Sequence, residues 1–287
     1  MSDSFALDWL RLREPLDAAA RAPALTRAFA RRLPRAPHLV DLGAGTGSTL
    51  RHLAPRLDCP EQSWTLVDKD MALLTKAPGE LTQWADKHGW TVTEERRSLR
   101  IQADEMTLRA EMRRYDLTTD LTGLALGQVD GVTCSALLDL VSADWIGKLA
   151  AELARSGYPP FLATLTVDGR TAFEPADPDD AFVMDRFHAH MRGNKGFGPS
   201  LGPEAATALA DTLRVAGYKV QVAPADWHLR SRHKETHRLM VDGYARSATA
   251  MDPAAGPRIE AWAARRRAAI ADGATLMVGH QDLLAIR

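Results

Sequence analysis

Apolar residues follow two alternating rhythms along this chain. Short unbroken runs give way to stretches in which apolar positions recur at helical spacing. The first run, His38-Leu39-Val40-Asp41-Leu42, is fenced off by Pro34 and Pro37 and predicts a buried strand. It leads into Gly43-Ala44-Gly45-Thr46-Gly47-Ser48 and then a helical pattern through Leu50, Leu53, Ala54 and Leu57. Trp64-Thr65-Leu66-Val67-Asp68 predicts a second strand, followed by a helix from about Met71 to His88. Residues 90–118 alternate, as a hairpin would, and the second arm ends at Tyr115-Asp116-Leu117. Further strands are predicted at 129–134, 161–167 and 218–222, with a closing strand pair near 275–286. Helices are expected at 142–154, where Ser142 is a plausible N-cap, at 203–216, and twice within 231–271.

This alternation predicts an α/β fold: a doubly wound, mostly parallel seven-stranded sheet with helices on both faces. Upstream, Phe5, Trp9, Leu12, Leu16, Leu25 and Phe29 lie at helical spacing interrupted by Pro15 and Pro23, so 1–36 reads as an N-terminal helical cap. Residues 37–287 then form one domain. Within it, the Asp-, Pro-, Gly- and His-rich stretch 168–202 reads as a lid, and 223–271 as a helical elaboration.

Composition narrows the function. Lys+Arg (36) and Asp+Glu (37) nearly cancel, which disfavours an obligate nucleic-acid or membrane-surface binder. Arginine far outnumbers lysine, but the doublets Arg31-Arg32, Arg96-Arg97 and Arg113-Arg114 and the triplet Arg265-Arg266-Arg267 are scattered and read as solvated faces. Two cysteines, Cys59 and Cys134, make neither a disulfide framework nor a cysteine-built metal site. With no long apolar span and no signal-peptide pattern, the expected location is cytoplasmic.

The most informative heptad is Asp41-Leu42-Gly43-Ala44-Gly45-Thr46-Gly47. Glycines at alternate positions of a strand-to-helix turn let the backbone approach a ligand and take positive φ. A dinucleotide site expects G-x-G-x-x-G, whereas this turn is G-x-G-x-G with an acid two residues ahead. That acid would repel a pyrophosphate and suits a ligand carrying an ammonium and a sulfonium. Here the chain resembles the class I S-adenosylmethionine-dependent methyltransferases.

The resemblance covers 38–167 and implies S-adenosylmethionine as cofactor. It implies that Asp41, Gly43, Ala44, Gly45 and Gly47 hold the cofactor, and that Asp68, with Lys69 beside it, meets the ribose hydroxyls. Asp120-Leu121 matches the adenine-facing position, with Asp104 and Asp116 as rival acids. Ser135, at the end of the fourth strand, flanks the reacting methyl. The segment Gly279–Ala285 resembles the family's antiparallel last strand.

Methyl transfer is an in-line displacement, so the acceptor should lie over the C-terminal strand ends. The run Cys134-Ser135-Ala136-Leu137-Leu138-Asp139 lacks the Asn/Asp-Pro-Pro-aromatic motif of enzymes that methylate amino groups of DNA or protein glutamine. A small-molecule acceptor is the leading expectation. An RNA or protein methyltransferase and a non-catalytic S-adenosylmethionine-binding protein are the alternatives. His188 is the candidate general base, with His190, Asn194 and Lys195 nearby, although it could equally belong to the wet face of a helix whose apolar side is Phe182, Val183, Phe187 and Met191. Asp139 could orient or deprotonate the acceptor, and Trp227 could wall its pocket or pack in the core. His188-x-His190 lacks a carboxylate partner, and His233-Lys234-Glu235-Thr236-His237 misplaces its glutamate for a zinc motif, so no metal is expected.

Overall fold

The two prolines do fence off a strand, β1 (His38–Leu42), and it lies at the centre of the sheet. The computed structural model describes residues 3–287, with side chains from Leu7 onward, so the Phe5 side chain lies outside the described residues. In β1 successive side chains face opposite ways. Leu39 packs with Phe29, Leu50 and Trp64 on one face, and Val40 and Leu42 pack with Ile146 and Leu149 on the other.

On one side of β1 run β2 (Glu61–Asp68) and β5 (Thr107–Arg114), and on the other β6 (Gly131–Ser135) and β7 (Phe161–Glu174), all parallel. β10 (Thr275–Ile286) is antiparallel to β7 and separates it from β8 (Lys219–Pro224). These seven strands are the sheet the sequence predicts, and the antiparallel last strand matches what the resemblance implies. Three short strands raise the total to ten. β3 (Thr91–Glu94) and β4 (Ser98–Gln102) form an edge hairpin that folds back on β5, and β9 (Trp227–Leu229) pairs with the start of β10. The stretch 90–118 is long enough for three arms, and its alternation alone does not show where the chain reverses.

Helices cover both faces. The layer of α2 (Pro23–Ala30), α3 (Ser48–Leu53) and α4 (Met71–Lys87) covers one, and α5 (Ala143–Arg155) and α7 (Ala205–Val215) cover the other. Ser142 caps α5 by accepting the Trp145 N–H at 3.2 Å. The Cys134 side chain is core filling.

A third core stands above the sheet, where β7 and β10 overrun their neighbours. It joins Phe173, Trp227, Leu276 and Val278 to α6 (Asp180–Met191), α8 (Lys234–Met251) and α9 (Gly256–Ala271). The predicted lid at 168–202 is therefore largely strand and helix. The expected closing pair is a single strand that bends at register shifts between Val278 and His280 and between Gln281 and Leu283. Gly279 allows the first shift, because a Cβ there would collide with Asp168 Oδ1 and the Arg170 side chain.

The arginine triplet is not a solvated face. Arg266 is only 3% exposed, lies 4.4 Å from the Phe173 ring centre and donates from Nε to Asp180 at 2.9 Å. Arg265 pairs with Asp177 and Asp179, and Arg267 with Asp242 and Glu260. Arg265 and Arg266 fasten the chain entering α6 to α9, and Arg267 ties α9 to α8. No described helix is long and apolar enough to cross a membrane.

Candidate active site

At the end of β1 the chain turns through Gly43, Gly45 and Gly47, with φ of 69°, 54° and 84°. Such values are strained for any residue with a Cβ. The turn is pinned from beneath: Ala44 N–H donates to Val67 O at 2.9 Å and Gly47 N–H to Ala44 O at 2.8 Å. Asp68, closing β2, accepts from Gly45 N at 2.8 Å through one oxygen and from Asp70 N at 2.9 Å through the other. A carboxylate offers about four acceptor positions, so Asp68 keeps capacity for a ligand's hydroxyls.

α1 (Asp3–Ala20) lies across this turn. Its Leu10, Arg13 and Asp17 enclose, with Gly43–Thr46, Asp68 and Ser135, a cavity of about 140 Å³. Ligand sites commonly measure about 300–1,000 Å³, so a nucleoside-sized molecule needs more room than this cavity offers, and α1 forms one of its walls. The helix is held by Arg51, which reaches both oxygens of Glu14 at 2.7 Å, and by Arg11 on Glu80 at 2.6 Å.

Behind the turn lies a buried charged network. Asp41 is fully buried; Thr133 Oγ1 donates to its Oδ1 at 2.8 Å, and Oδ2 has no partner. Burial pushes this carboxyl up to about 7, although the Thr133 hydroxyl and the Arg21 charge favour ionisation. Arg21, equally buried, donates from Nη2 to Ser135 Oγ at 3.1 Å and leaves Nη1 unpartnered. Burial lowers its pKa, against the pull of Asp17, Asp282 and Asp41. Asp17 accepts from Arg13 Nε and from Trp227 Nε1, both at 3.0 Å.

Two unpartnered buried atoms of opposite charge beside a bare glycine turn suit a zwitterionic amino-acid group, and Asp68 suits a ribose. The residues present thus fit S-adenosylmethionine. Asp68 and the turn would hold the nucleoside, and Arg13 and Asp17, which line the cavity, would face the amino-acid end, with Asp41 behind the turn.

The structure brings together Gly43, Ala44, Gly45, Asp68 and Ser135 around the cavity, with Asp41 just behind. Asp139, half-buried after β6, lies within the field of Arg13, and burial raises its carboxyl above the usual range. Lys69 reaches outward, with Nζ 5.8 Å from the Phe197 ring centre. Asp120 and Leu121 are not brought to the cavity. Asp120 is exposed, accepts from Thr122 Oγ1 and feels Arg155, whereas Leu121 is core. Asp116 is the acid that feels Lys69, and the Thr118 N–H it accepts holds its carboxyl below the ordinary range.

His188 is placed against the far end of β7, where its Cε1 lies 3.7 Å from the Cβ position of Gly169. Burial lowers its pKa and Nε2 has no partner. Phe187 next to it turns the other way, into a second cavity of about 330 Å³ that shares Leu10 and Leu73 with the first. Trp227 is core and its ring packs 6.3 Å from Trp9. Sequence reasoning missed Leu10, Arg13 and Asp17. Their signal was spacing: the three fall on one face of a helix, with an i,i+4 ion pair.

No protein-family model matches the chain, and no curated protein matches it. Solved structures do. An O-methyltransferase family protein from Burkholderia thailandensis is 19% identical, with 77% of this chain and 55% of that chain covered and a TM-score of 0.49. The cyclopropane synthase MmaA2 from Mycobacterium tuberculosis is 11% identical, covering 91% and 83% with a TM-score of 0.44. Human N-acetylserotonin methyltransferase in complex with SAM is 13% identical, covering 75% and 48% with a TM-score of 0.40. The chain spans about half the length of the Burkholderia and human proteins. At these values none of the likenesses identifies a reaction or an acceptor. The chain's own strand order, glycine turn, acid closing β2 and antiparallel β10 make up a Rossmann-like α/β fold.

Proposed function

We propose that this protein is an S-adenosylmethionine-dependent methyltransferase acting on a small-molecule acceptor. The observation that carries the reading is Asp68 locked onto the Gly45 N–H at the mouth of a three-glycine turn. Bound there, S-adenosylmethionine supplies a methyl group made electrophilic by the sulfonium. The chain's own residues align and shield. Asp68 and the turn fix the nucleoside, Ser135 stands at the end of β6 beside Arg21, and Leu10 and Leu73 exclude water from the side facing the second cavity. Asp139 is proposed to take a proton leaving the acceptor on its carboxylate. His188 lies against Gly169 of β7, lines neither cavity, and is not assigned that task. Calorimetry is expected to show S-adenosylmethionine or S-adenosylhomocysteine binding in the micromolar range. NAD(H) binding with no response to either would overturn the reading.

A further inference from the structure

We propose that the second cavity binds a hydrophobic molecule carrying an anionic group such as a carboxylate, and that this is the acceptor class; the acceptor clause rests on the transferase reading above. The cavity lies between α1, the start of α4, α6 and α8. Leu10 and Leu73 form the wall it shares with the glycine turn, and they stand 3.8 and 3.9 Å from the Cβ position of Gly45. A molecule held there therefore lies one side-chain layer from the cofactor site. Trp9, Phe187 and Met240 are all half-buried and offer it apolar surface.

The polar groups come from one element, α8. Tyr244 is 3% exposed, lines the cavity, and its hydroxyl has no hydrogen-bond partner among the described residues. Its oxygen is open to the cavity, where a ligand that supplies an acceptor can take its hydrogen bond. Its ring is fixed edge-on against Phe187, with centroids 4.7 Å apart. Arg246 is the one charged side chain lining the cavity among the described residues, is exposed at the rim, and pairs with no carboxylate among them. The acid nearest in sequence on α8, Asp242, is taken by Arg267. A forked guanidinium over an apolar cavity selects a carboxylate-like group and repels a cation.

Gly243 supplies the room. It shares a helix face with Met240, Tyr244 and Ser247, and a Cβ there would meet no heavy atom within 4 Å. Glycine is unfavourable inside a helix, and the missing side chain leaves the floor of the cavity open.

The test is a fluorescence titration with 1-anilinonaphthalene-8-sulfonate, competed by dodecanoate and by dodecan-1-ol. Dodecanoate is expected to displace the probe at least about tenfold more effectively than the alcohol, and Arg246→Gln to bring the two within about twofold. Gly243→Leu places a side chain in the cavity, so probe affinity should fall at least about tenfold while circular dichroism stays as in the wild type and melting is not lowered. Should that variant not fold, Ser247→Phe, from the same face, is expected to do the same. A folded cavity-filling variant with wild-type probe binding, or equal competition by alcohol and carboxylate, overturns the proposal. Calorimetry with S-adenosylmethionine on the same protein separates the two readings. No cofactor binding alongside the expected probe pattern removes the transferase reading and leaves the pocket. Cofactor binding without that pattern removes the pocket proposal alone.

Discussion

Asp68 would have two tasks, since the oxygens proposed to meet a ribose also hold the Gly45 N–H and start α4 through Asp70. Asp68→Ala is expected to weaken S-adenosylmethionine binding by about 1.5–3 kcal/mol, the scale of a charge-assisted hydrogen bond, and calorimetry measures it. Unchanged affinity would mean that the ribose lies elsewhere. Asp41 behaves differently because it is buried with one oxygen unmet. Its folded pKa of about 7 stands above the ordinary 3.8, so the folded state holds this proton more tightly than the unfolded chain does. Its contribution to stability is present at low pH and is lost as pH rises through 7. A cationic group brought to the free oxygen favours the carboxylate, so cofactor binding at pH 7 should release protons. Calorimetric enthalpies that do not change between phosphate and Tris buffers would refute this, and Asp41→Asn should abolish the release.

Among the elements, α1 sets access. Arg51–Glu14 is partly exposed, and pairs of this kind contribute modestly, so Glu14→Gln is expected to speed cofactor association by about two- to fivefold. Trp9, on the same helix, reports the motion in a stopped-flow experiment. Unaltered association in that variant would show that α1 is not the barrier.

The contrast between α1 and the glycine turn also explains what could be read in advance. The turn, Asp68, Ser142 and the helix beginning at Met71 are local features, written in adjacent residues, and each was legible. The contact of Leu10 with the turn joins distant parts of the chain, and the helical spacing that sets Leu10, Arg13 and Asp17 on one face does not say what that face covers. The position of Asp120 relative to the cavity was not legible because the chain after β5 passes through short 3₁₀ turns, where neither strand nor helix spacing keeps phase. The overrun of β7 stayed hidden because Asp168-Gly169-Arg170 reads as a turn, although it continues as strand beside β10.

For the whole molecule, acid is the expected weakness. Burial lowers His52 to about 3 and His237 and His280 to about 4, against an ordinary 6.5. The unfolded chain binds these protons first, so stability is full above about pH 6.5 and falls as pH drops toward 4. Asp41 opposes the trend, hence Asp41→Asn should steepen the loss in urea melts at pH 7.5 and 5. A flat profile would contradict the burial of the three rings.

The position of β10 between β7 and β8 bears on how the protein is made. Both partners leave the ribosome before it, and β7 ends about a hundred residues ahead, which at typical synthesis rates is roughly 5–20 s. Until β10 emerges, β7 and, once made, β8 each present an unsatisfied edge, the kind of template that other nascent chains can join. Slowing translation between 175 and 274 should therefore lower the soluble yield, and co-expressed chaperones that mask strand edges should restore it.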